Sequence, residues 1–173
     1  MEFQQVIRTR YSVRKFKDTP IPSEVLTRIL KAGRLAPSAC NRQPQRILVA
    51  QSAEALEKMH ACTPCHFDAP VILLACCDRS TGEEVIGSER DFGRVDVSIA
   101  LTQIMLAATD LGVGSLWVGM FEPQKLRKAF RLPEQYEIVS LLLLGYPADD
   151  AAPNPRMHDV REPLDHTVFY DTF

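Results

Sequence analysis

Two arginines and a serine alternate near the start of the sequence, in the segment RYSVR. Arg10, Ser12 and Arg14 are each separated by one residue, so an extended backbone directs all three side chains to one face. Guanidinium groups bind phosphate oxygens through paired hydrogen bonds, and a serine hydroxyl adds a short one. The set therefore fits a terminal phosphate monoester, although spacing by itself favours an ordinary solvated basic strand.

A second candidate for chemistry is the segment CTPCH, which runs from Cys62 to His66. Its spacing matches c-type haem attachment and also a redox-active dithiol. Haem attachment normally occurs outside the cytoplasm, and the first residues lack the apolar region of a signal peptide. A zinc or iron-sulfur site needs further ligands, and the adjacent Cys76 and Cys77 point to opposite faces of a predicted strand. We therefore predict no haem and no metal site.

No group of side chains in the sequence suggests acid-base or nucleophilic catalysis. The histidines form no pattern with a serine or cysteine nucleophile, and we expect them at the surface or at helix ends; they are His60, His66, His158 and His166. We therefore predict that no side chain acts as a catalytic group.

The composition limits the classes of protein to be considered. A chain of 173 residues with 46% hydrophobic content predicts one domain over residues 1–173. The formal charge of -2, with acidic and basic residues interspersed, argues against binding to nucleic acid or to a membrane surface. No apolar run reaches the ~20 residues of a membrane-spanning helix. Five cysteines without a secretory signal indicate reduced thiols, so we expect a soluble, cytoplasmic protein.

Helical and strand-like segments alternate along the chain and must position these residues. Helical periodicity is clear in SEVLTRILKAGR and again from Asp96 to Leu111, where Gly112 is placed to end the helix. Short apolar segments predict strands: RILVAQ, PVILLACC, SLWVGMF and EIVSLLLLGYP. The order predicts an α+β fold with a mixed sheet. From Pro153 no helical period is present, and the final alternation in TVFYDTF is typical of an edge strand.

Four blocks of the sequence resemble the nitroreductase family, and they occur in the order in which the family has them. They are RYSVRKF, APSACNRQPQR, GVGSLWVGMF, and LLLLGYP followed by REPLD. Four ordered blocks are far more specific than any one of them. The resemblance implies a nitroreductase-like α+β fold with a mixed, mostly antiparallel sheet flanked by helices. It also implies a homodimer that exchanges its C-terminal segments, one FMN in each interface cleft, and NAD(P)H as co-substrate.

The resemblance further implies which residues hold the FMN phosphate and its surroundings. Arg10 and Ser12 match phosphate and ribityl contacts, and Tyr11 lies between them in the same block. Arg14 matches a basic position on the pyrimidine side of the flavin, where positive charge stabilises the reduced ring. Arg161, in REPLD, matches the arginine that joins Arg10 at the phosphate.

Two further groups of residues match positions along the flavin ring. Those in the loop after the first amphipathic helix are expected to come from the partner subunit: Pro37, Ser38 and Asn41. Those at the end of a strand bring a main-chain N–H to the flavin N5, where glycine permits a close approach: Val118, Gly119 and Met120. For the dimer interface we expect the C-terminal segment to wrap the partner, with small residues of the long helix at its centre: Ala100, Ala107 and Ala108.

The function implied is an FMN-dependent oxidoreductase of the nitroreductase type. It would reduce nitroaromatic, quinone or similar small acceptors with electrons from NAD(P)H in a ping-pong mechanism. A specialised family activity such as reductive dehalogenation is an alternative, but the short segment from Arg79 to Arg94 leaves little room for a lid and favours a generalist. A flavin- or thiol-based redox sensor, in which Cys62 and Cys65 change oxidation state, is the alternative from another class.

Overall fold

A sheet of four strands lies at the centre of the computed structural model, which describes residues 1–81 and 92–173. The strands are β1 (Gln45–Ala50), β2 (Val71–Asp78), β3 (Gly114–Val118) and β4 (Tyr136–Gly145). Their order across the sheet is β1-β2-β4-β3, and every neighbouring pair is antiparallel. An isolated parallel bridge joins Ser12 to Ser115 at the β3 edge. The predicted mixed, mostly antiparallel sheet is therefore confirmed.

The two central strands are apolar along most of their length because helices cover both faces of the sheet. All eight residues of β2 are buried, as expected for a strand with no solvated face. Leu73 and Leu142 belong to one core cluster with Ile29, whereas Leu74 and Leu143 belong to the cluster on the opposite face. The sheet is thus the middle layer of three.

Six helices complete the described part of the fold. They are α1 (Phe3–Thr9), α2 (Ser23–Arg34), α3 (Ala53–His60), α4 (Gly93–Asp110), α5 (Pro123–Phe130) and α6 (Pro155–His158). The helix α2 packs closely on α4, since a Cβ atom added to Gly33 would lie 2.5 Å from Cγ1 of Ile104. As predicted, α4 ends before Gly112, whose φ of 75° is accessible to glycine at little cost. Within the described ranges, no helix has both the length and the apolar content needed to cross a membrane.

Of the three alanines of α4 that we expected at a dimer interface, Ala107 is half-buried, but the other two lie in the core. Ala100 and Ala108 are buried in the core of their own chain, because α2 and the sheet occupy that side of the helix. The opposite side of α4 bears a largely apolar groove of about 440 Å³, lined by Arg94, Val95, Ser98, Ile99, Thr102 and Gln103. Any partner on α4 would therefore contact this outer face rather than the two alanines.

The C-terminal segment differs from the sequence prediction in two respects. It contains a short helix, α6, because the Asn154 side chain accepts a hydrogen bond from the Arg156 N–H and Pro155 takes the first helical position. No strand forms over residues 167–173 in the single chain, which offers no partner sheet for the edge pairing that the alternation predicts. Several apolar side chains of this segment are exposed: Leu164, Val168, Phe169, Tyr170 and Phe173. Exchange of the segment with a partner remains a prediction.

Candidate functional site

The segment after α1 is extended and runs beside β3. The backbone N–H of Val13 donates to the Ser115 carbonyl at 3.0 Å. Val13 is 1% exposed and packs into the core, whereas Arg14, the next residue, is exposed. Ser12 and Arg14 therefore share a groove on the side away from the core, as expected, whereas Arg10 lines a different cavity with Val13.

The charge of Arg161 acts on Arg10 although 151 positions separate the two residues in the sequence. The pKa of Arg10 is lowered, first by burial and then by the positive charge of Arg161. Arg161 is held by its Nη1, which donates to the Val160 carbonyl at 2.7 Å and to the Met157 carbonyl at 3.4 Å. Among the described residues, no carboxylate forms an ion pair with either guanidinium. Two cations brought together in this way favour an anion between them.

A groove of about 360 Å³ lies between this extended segment and the C-terminal segment. It is lined by Ser12, Arg14, Lys15, Asp150, Ala151, Ala152, Asn154 and Met157. The hydroxyl of Tyr11 donates to the Ala151 carbonyl at 3.4 Å. A hydrogen bond and the charge of Lys15 lower the pKa of Asp150, and the two charged atoms are 2.5 Å apart. Lys15 thus balances the charge of Asp150, and the guanidinium of Arg14 keeps a net positive field in the groove.

The loop between α2 and β1 carries the predicted residues Pro37, Ser38 and Asn41. Its backbone has positive φ at three non-glycine residues: Cys40, Asn41 and Gln43. Such conformations are costly and persist only where surrounding contacts impose them. One such contact is from the Gln43 N–H to the Ser38 hydroxyl oxygen, at 2.9 Å. The loop is therefore built in one defined shape, with Pro37 and Asn41 exposed.

Asp96 anchors this loop, and sequence reasoning missed that role. Its carboxylate accepts a hydrogen bond from the Ala39 N–H at 3.0 Å. Asp96 is 5% exposed and lies in the first turn of α4, where the helix dipole stabilises negative charge. An acidic residue on the otherwise apolar side of a helix was the signal that could have revealed it.

The CTPC segment, residues 62–65, is hydrogen-bonded to the backbone just after β3, where the sequence predicts a contact with the flavin. The Thr63 hydroxyl donates to the Met120 carbonyl at 2.5 Å and accepts from the Cys65 N–H at 3.1 Å. The Glu122 N–H donates to the Cys62 carbonyl at 2.9 Å. Met120 is exposed, and a Cβ atom added at Gly119 would meet nothing within 4 Å. The backbone at Gly119 and Met120 is thus open on one side and is held on the other by hydrogen bonds from the CTPC segment.

The position of Cys62 weighs against the other interpretations of CTPCH. Cys62 is 2% exposed and packs with the cluster that contains Met59 and Leu126. Burial is the main cause that raises the pKa of its thiol, which lowers the reactivity of the group. A haem attached through Cys62 would need that thiol at the surface. The same burial argues against a dithiol sensor formed with Cys65.

The predicted histidine positions are borne out in part. His60 and His158 are the last residues of α3 and α6. His60 also stacks on His66, which lies in a turn.

The expected short lid between Arg79 and Arg94 concerns residues 82–91, which lie outside the described part of the chain.

A single chain separates the predicted cofactor-binding residues into two groups. Arg10 shares a cavity of about 240 Å³ with Thr109 and Gly112, at the C-terminal end of α4. The loop of Ser38 is bonded to Asp96, at the N-terminal end of the same helix. Thr109 follows Asp96 by thirteen positions, which is about 20 Å along the helix axis. The loop therefore lies far from the arginines of its own chain.

The chain is similar to known proteins over most of its length. The family described as Nitroreductase family matches residues 7–63 and 63–146. A Methanothermobacter thermautotrophicus protein with the provisional name NADH dehydrogenase/NAD(P)H nitroreductase is 36% identical to this chain. The match covers 94% of this chain and 84% of the length of that protein. FMN reductase (NAD(P)H) of Bacillus subtilis is 31% identical, over 92% and 70%. The crystal structure of a nitroreductase family protein from Clostridium difficile 630 superposes with a TM-score of 0.92 at 35% identity, and each chain is covered completely.

Proposed function

The chain belongs to the nitroreductase family, and from this membership we propose that it is an FMN-dependent oxidoreductase that takes electrons from NAD(P)H. A relative that covers most of the chain is named FMN reductase (NAD(P)H). The observation that carries the proposal is the groove lined by Ser12 and Arg14. It is joined by the positive charge of Arg161 acting on Arg10, neither of which has a carboxylate partner among the described residues. We further propose that residues 1–173 form one FMN-binding domain and that the protein works in the cytoplasm.

The chemistry of this donor set fits the phosphate end of FMN. A phosphate monoester is close to a dianion at neutral pH, and two guanidiniums match its charge. Arg10, Ser12 and Arg161 would hold the phosphate and ribityl oxygens, and Tyr11 would keep the adjacent backbone in place through Ala151. Burial and then the charge of Arg161 lower the pKa of Arg10, and a bound phosphate would offset the second effect.

A second copy of the chain would complete the flavin site. The loop of Pro37, Ser38 and Asn41 lies about 20 Å along α4 from the arginine group, by the helix rise per residue, so one chain does not bring both to the same ring. A two-fold partner packed on the outer face of α4 would supply the loop from the other subunit. The exposed apolar residues of the C-terminal segment, Phe169 and Tyr170 among them, support its exchange across that interface.

In this site the residues of the chain would bind and orient FMN and adjust the charge around it, and none of their side chains would react. Bound FMN supplies reversible two-electron chemistry between NAD(P)H and an acceptor. The guanidinium of Arg14 would stabilise negative charge on the bound flavin. The backbone of Val118, Gly119 and Met120 would offer a main-chain N–H to the flavin, and the open space at Gly119 would admit a planar substrate. We assign no catalytic role to any side chain, and we propose no metal in the reaction.

We propose nitroaromatics, quinones or similar small acceptors as substrates, reduced in a ping-pong mechanism because donor and acceptor use the same open face in turn. The test begins with the absorption spectrum of the purified protein, which should show flavin bands. Initial rates at several fixed NAD(P)H concentrations should then give parallel double-reciprocal lines. Intersecting lines would show a ternary complex and contradict the mechanism, whereas a purified protein that binds no FMN would contradict the function itself.

A further inference from the structure

Two histidines and an aspartate meet on the far side of the CTPC segment. The imidazoles of His60 and His66 are stacked, with ring centroids 4.0 Å apart and an interplanar angle of 19°. Oδ1 of Asp68 lies 3.1 Å from Nδ1 of His66. One ligand atom from each residue lies within 4.8 Å of the other two. The cluster thus joins the last residue of α3 to the turn that leads into β2.

His60 has an unsatisfied group inside this cluster. Its Nε2 is enclosed by protein and has no hydrogen-bond partner among the described residues. Buried polar atoms are nearly always bonded, so an exception calls for a missing partner such as an ion. An imidazole nitrogen without a hydrogen-bond partner is a donor atom that a metal ion can use.

The backbone of the turn is shaped to bring Asp68 back toward the rings. Phe67 and Asp68 have φ values of 46° and 50°, and two successive non-glycine residues in the left-handed region are costly. The Asp68 N–H donates to Nδ1 of His66 at 3.2 Å. A metal ion at Nδ1 of His66 would replace this bond, and a metal ion at Nε2 requires the ring proton on Nδ1, which can donate it to Oδ1 of Asp68. The turn thus places the carboxylate beside the imidazoles at a conformational cost.

We propose that His60, His66 and Asp68 bind a divalent transition-metal cation of the Zn²⁺ type, at a site separate from the flavin cleft. Two imidazole nitrogens and one carboxylate oxygen are a common donor set for such ions, and water completes the coordination. Bonds of about 2.0–2.1 Å to a tetrahedral ion require donor atoms about 3.4 Å apart, and here the donor atoms lie within 4.8 Å of one another. The side chain of Asp68 is 83% exposed and that of His66 29%, so both can rotate toward the ion while the stack opens.

Such an ion would hold together the two ends of the segment that is hydrogen-bonded to the Met120 backbone. Residues 60 and 66 flank Thr63, whose hydroxyl binds the Met120 carbonyl. Ligands from α3 and from the turn would close this segment on itself, and an ion that binds only the folded state stabilises it. The site is therefore structural, and its occupancy does not depend on the proposed redox reaction.

The test is metal binding by the full-length protein after removal of metals with a chelator. Titration with Zn²⁺ by calorimetry, and with Co²⁺ by visible absorption, should give one ion per chain. His60→Gln and His66→Ala should each weaken binding about tenfold or more, as is usual when metal-site groups are lost. Asp68→Asn should weaken it by a smaller factor. His166→Ala, a histidine outside the cluster, is the matched control and should bind like the parent protein.

A second measurement separates a lost site from a misfolded variant. Zn²⁺ should raise the thermal unfolding temperature of the parent protein and of Cys65→Ser, but not that of a folded His66→Ala variant. The proposal is overturned if the parent protein binds no Zn²⁺ at micromolar concentration. It is also overturned if both histidine variants bind with the parent's affinity, or if binding disappears only when Cys62 or Cys65 is replaced.

Discussion

Among single residues, the pair of Arg10 and Arg161 has the most direct consequence. Each charge-assisted hydrogen bond contributes about 1.5–3 kcal/mol, and about 1.4 kcal/mol corresponds to a tenfold change in affinity. We therefore expect the double variant R10A/R161A to bind FMN at least about a hundredfold more weakly than the parent protein. Fluorescence titration of FMN with the apoprotein measures the change. Lys128→Ala, which removes an exposed positive charge on α5, is the control, and full flavin occupancy of the double variant at low flavin concentration would contradict the phosphate site.

Replacement of Thr63 should affect the rate of reduction more than FMN binding, because Thr63 is bonded to the Met120 backbone and is not expected to touch the cofactor. Thr63→Val removes a buried hydroxyl that bonds both the Met120 carbonyl and the Cys65 N–H. Each group left unsatisfied costs about 1–3 kcal/mol. We expect a lower unfolding temperature and a slower reduction by NAD(P)H at saturation, with FMN affinity nearly unchanged because the phosphate site is intact.

The matched variant for this position is Thr63→Ser, which keeps the hydroxyl and loses only a methyl group. It should restore the reduction rate measured by stopped-flow absorbance, even if part of the stability loss remains. A Thr63→Val protein that is reduced at the parent rate would limit Thr63 to a packing role.

At the scale of elements, the loop between α2 and β1 depends on the first turn of α4. Asp96→Ala removes the acceptor of the Ala39 N–H, and the positive φ values at Cys40, Asn41 and Gln43 then lack one of their constraints. We expect faster hydrogen exchange at residues 39–43, and FMN binding about tenfold weaker if the loss is close to 1.4 kcal/mol. Asp96→Asn keeps a side-chain oxygen at the same place and should retain most of both properties. Unchanged exchange in Asp96→Ala would show that the loop holds its shape without the carboxylate.

For the whole molecule, the C-terminal segment links assembly to cofactor binding. Deletion of residues 162–173 removes Leu164, Phe169 and Tyr170, which are exposed in the single chain, but it leaves Arg161 in place. We expect weaker dimerisation and, with it, weaker flavin retention, because the flavin site needs the loop of the partner. Sedimentation analysis with detection at protein and flavin wavelengths measures both. A truncated protein that remains a fully flavinated dimer would contradict the exchange of this segment.

The sequence by itself determined the strands, the principal helices and the family. The apolar segments PVILLACC and EIVSLLLLGYP became the central strands β2 and β4, because strands covered on both faces need no polar alternation. The helical period from Asp96 and the glycine after it indicated α4 and its end. Four ordered blocks identified the family, and the alternation of RYSVR predicted that Ser12 and Arg14 share a side away from the core.

Only the tertiary structure decided which distant groups meet. Asp96 reaches the Ala39 N–H and Thr63 reaches the Met120 carbonyl, each across 57 positions of sequence, and helix and sheet packing sets such pairs rather than local spacing. The same packing turned Ala100 and Ala108 inward. Alternation in TVFYDTF did not yield a strand, since a strand forms only beside an edge that offers unpaired N–H and C=O groups. The unpaired nitrogen of His60 arises in the same way, because burial and neighbours, not sequence position, decide which polar atoms lack a partner.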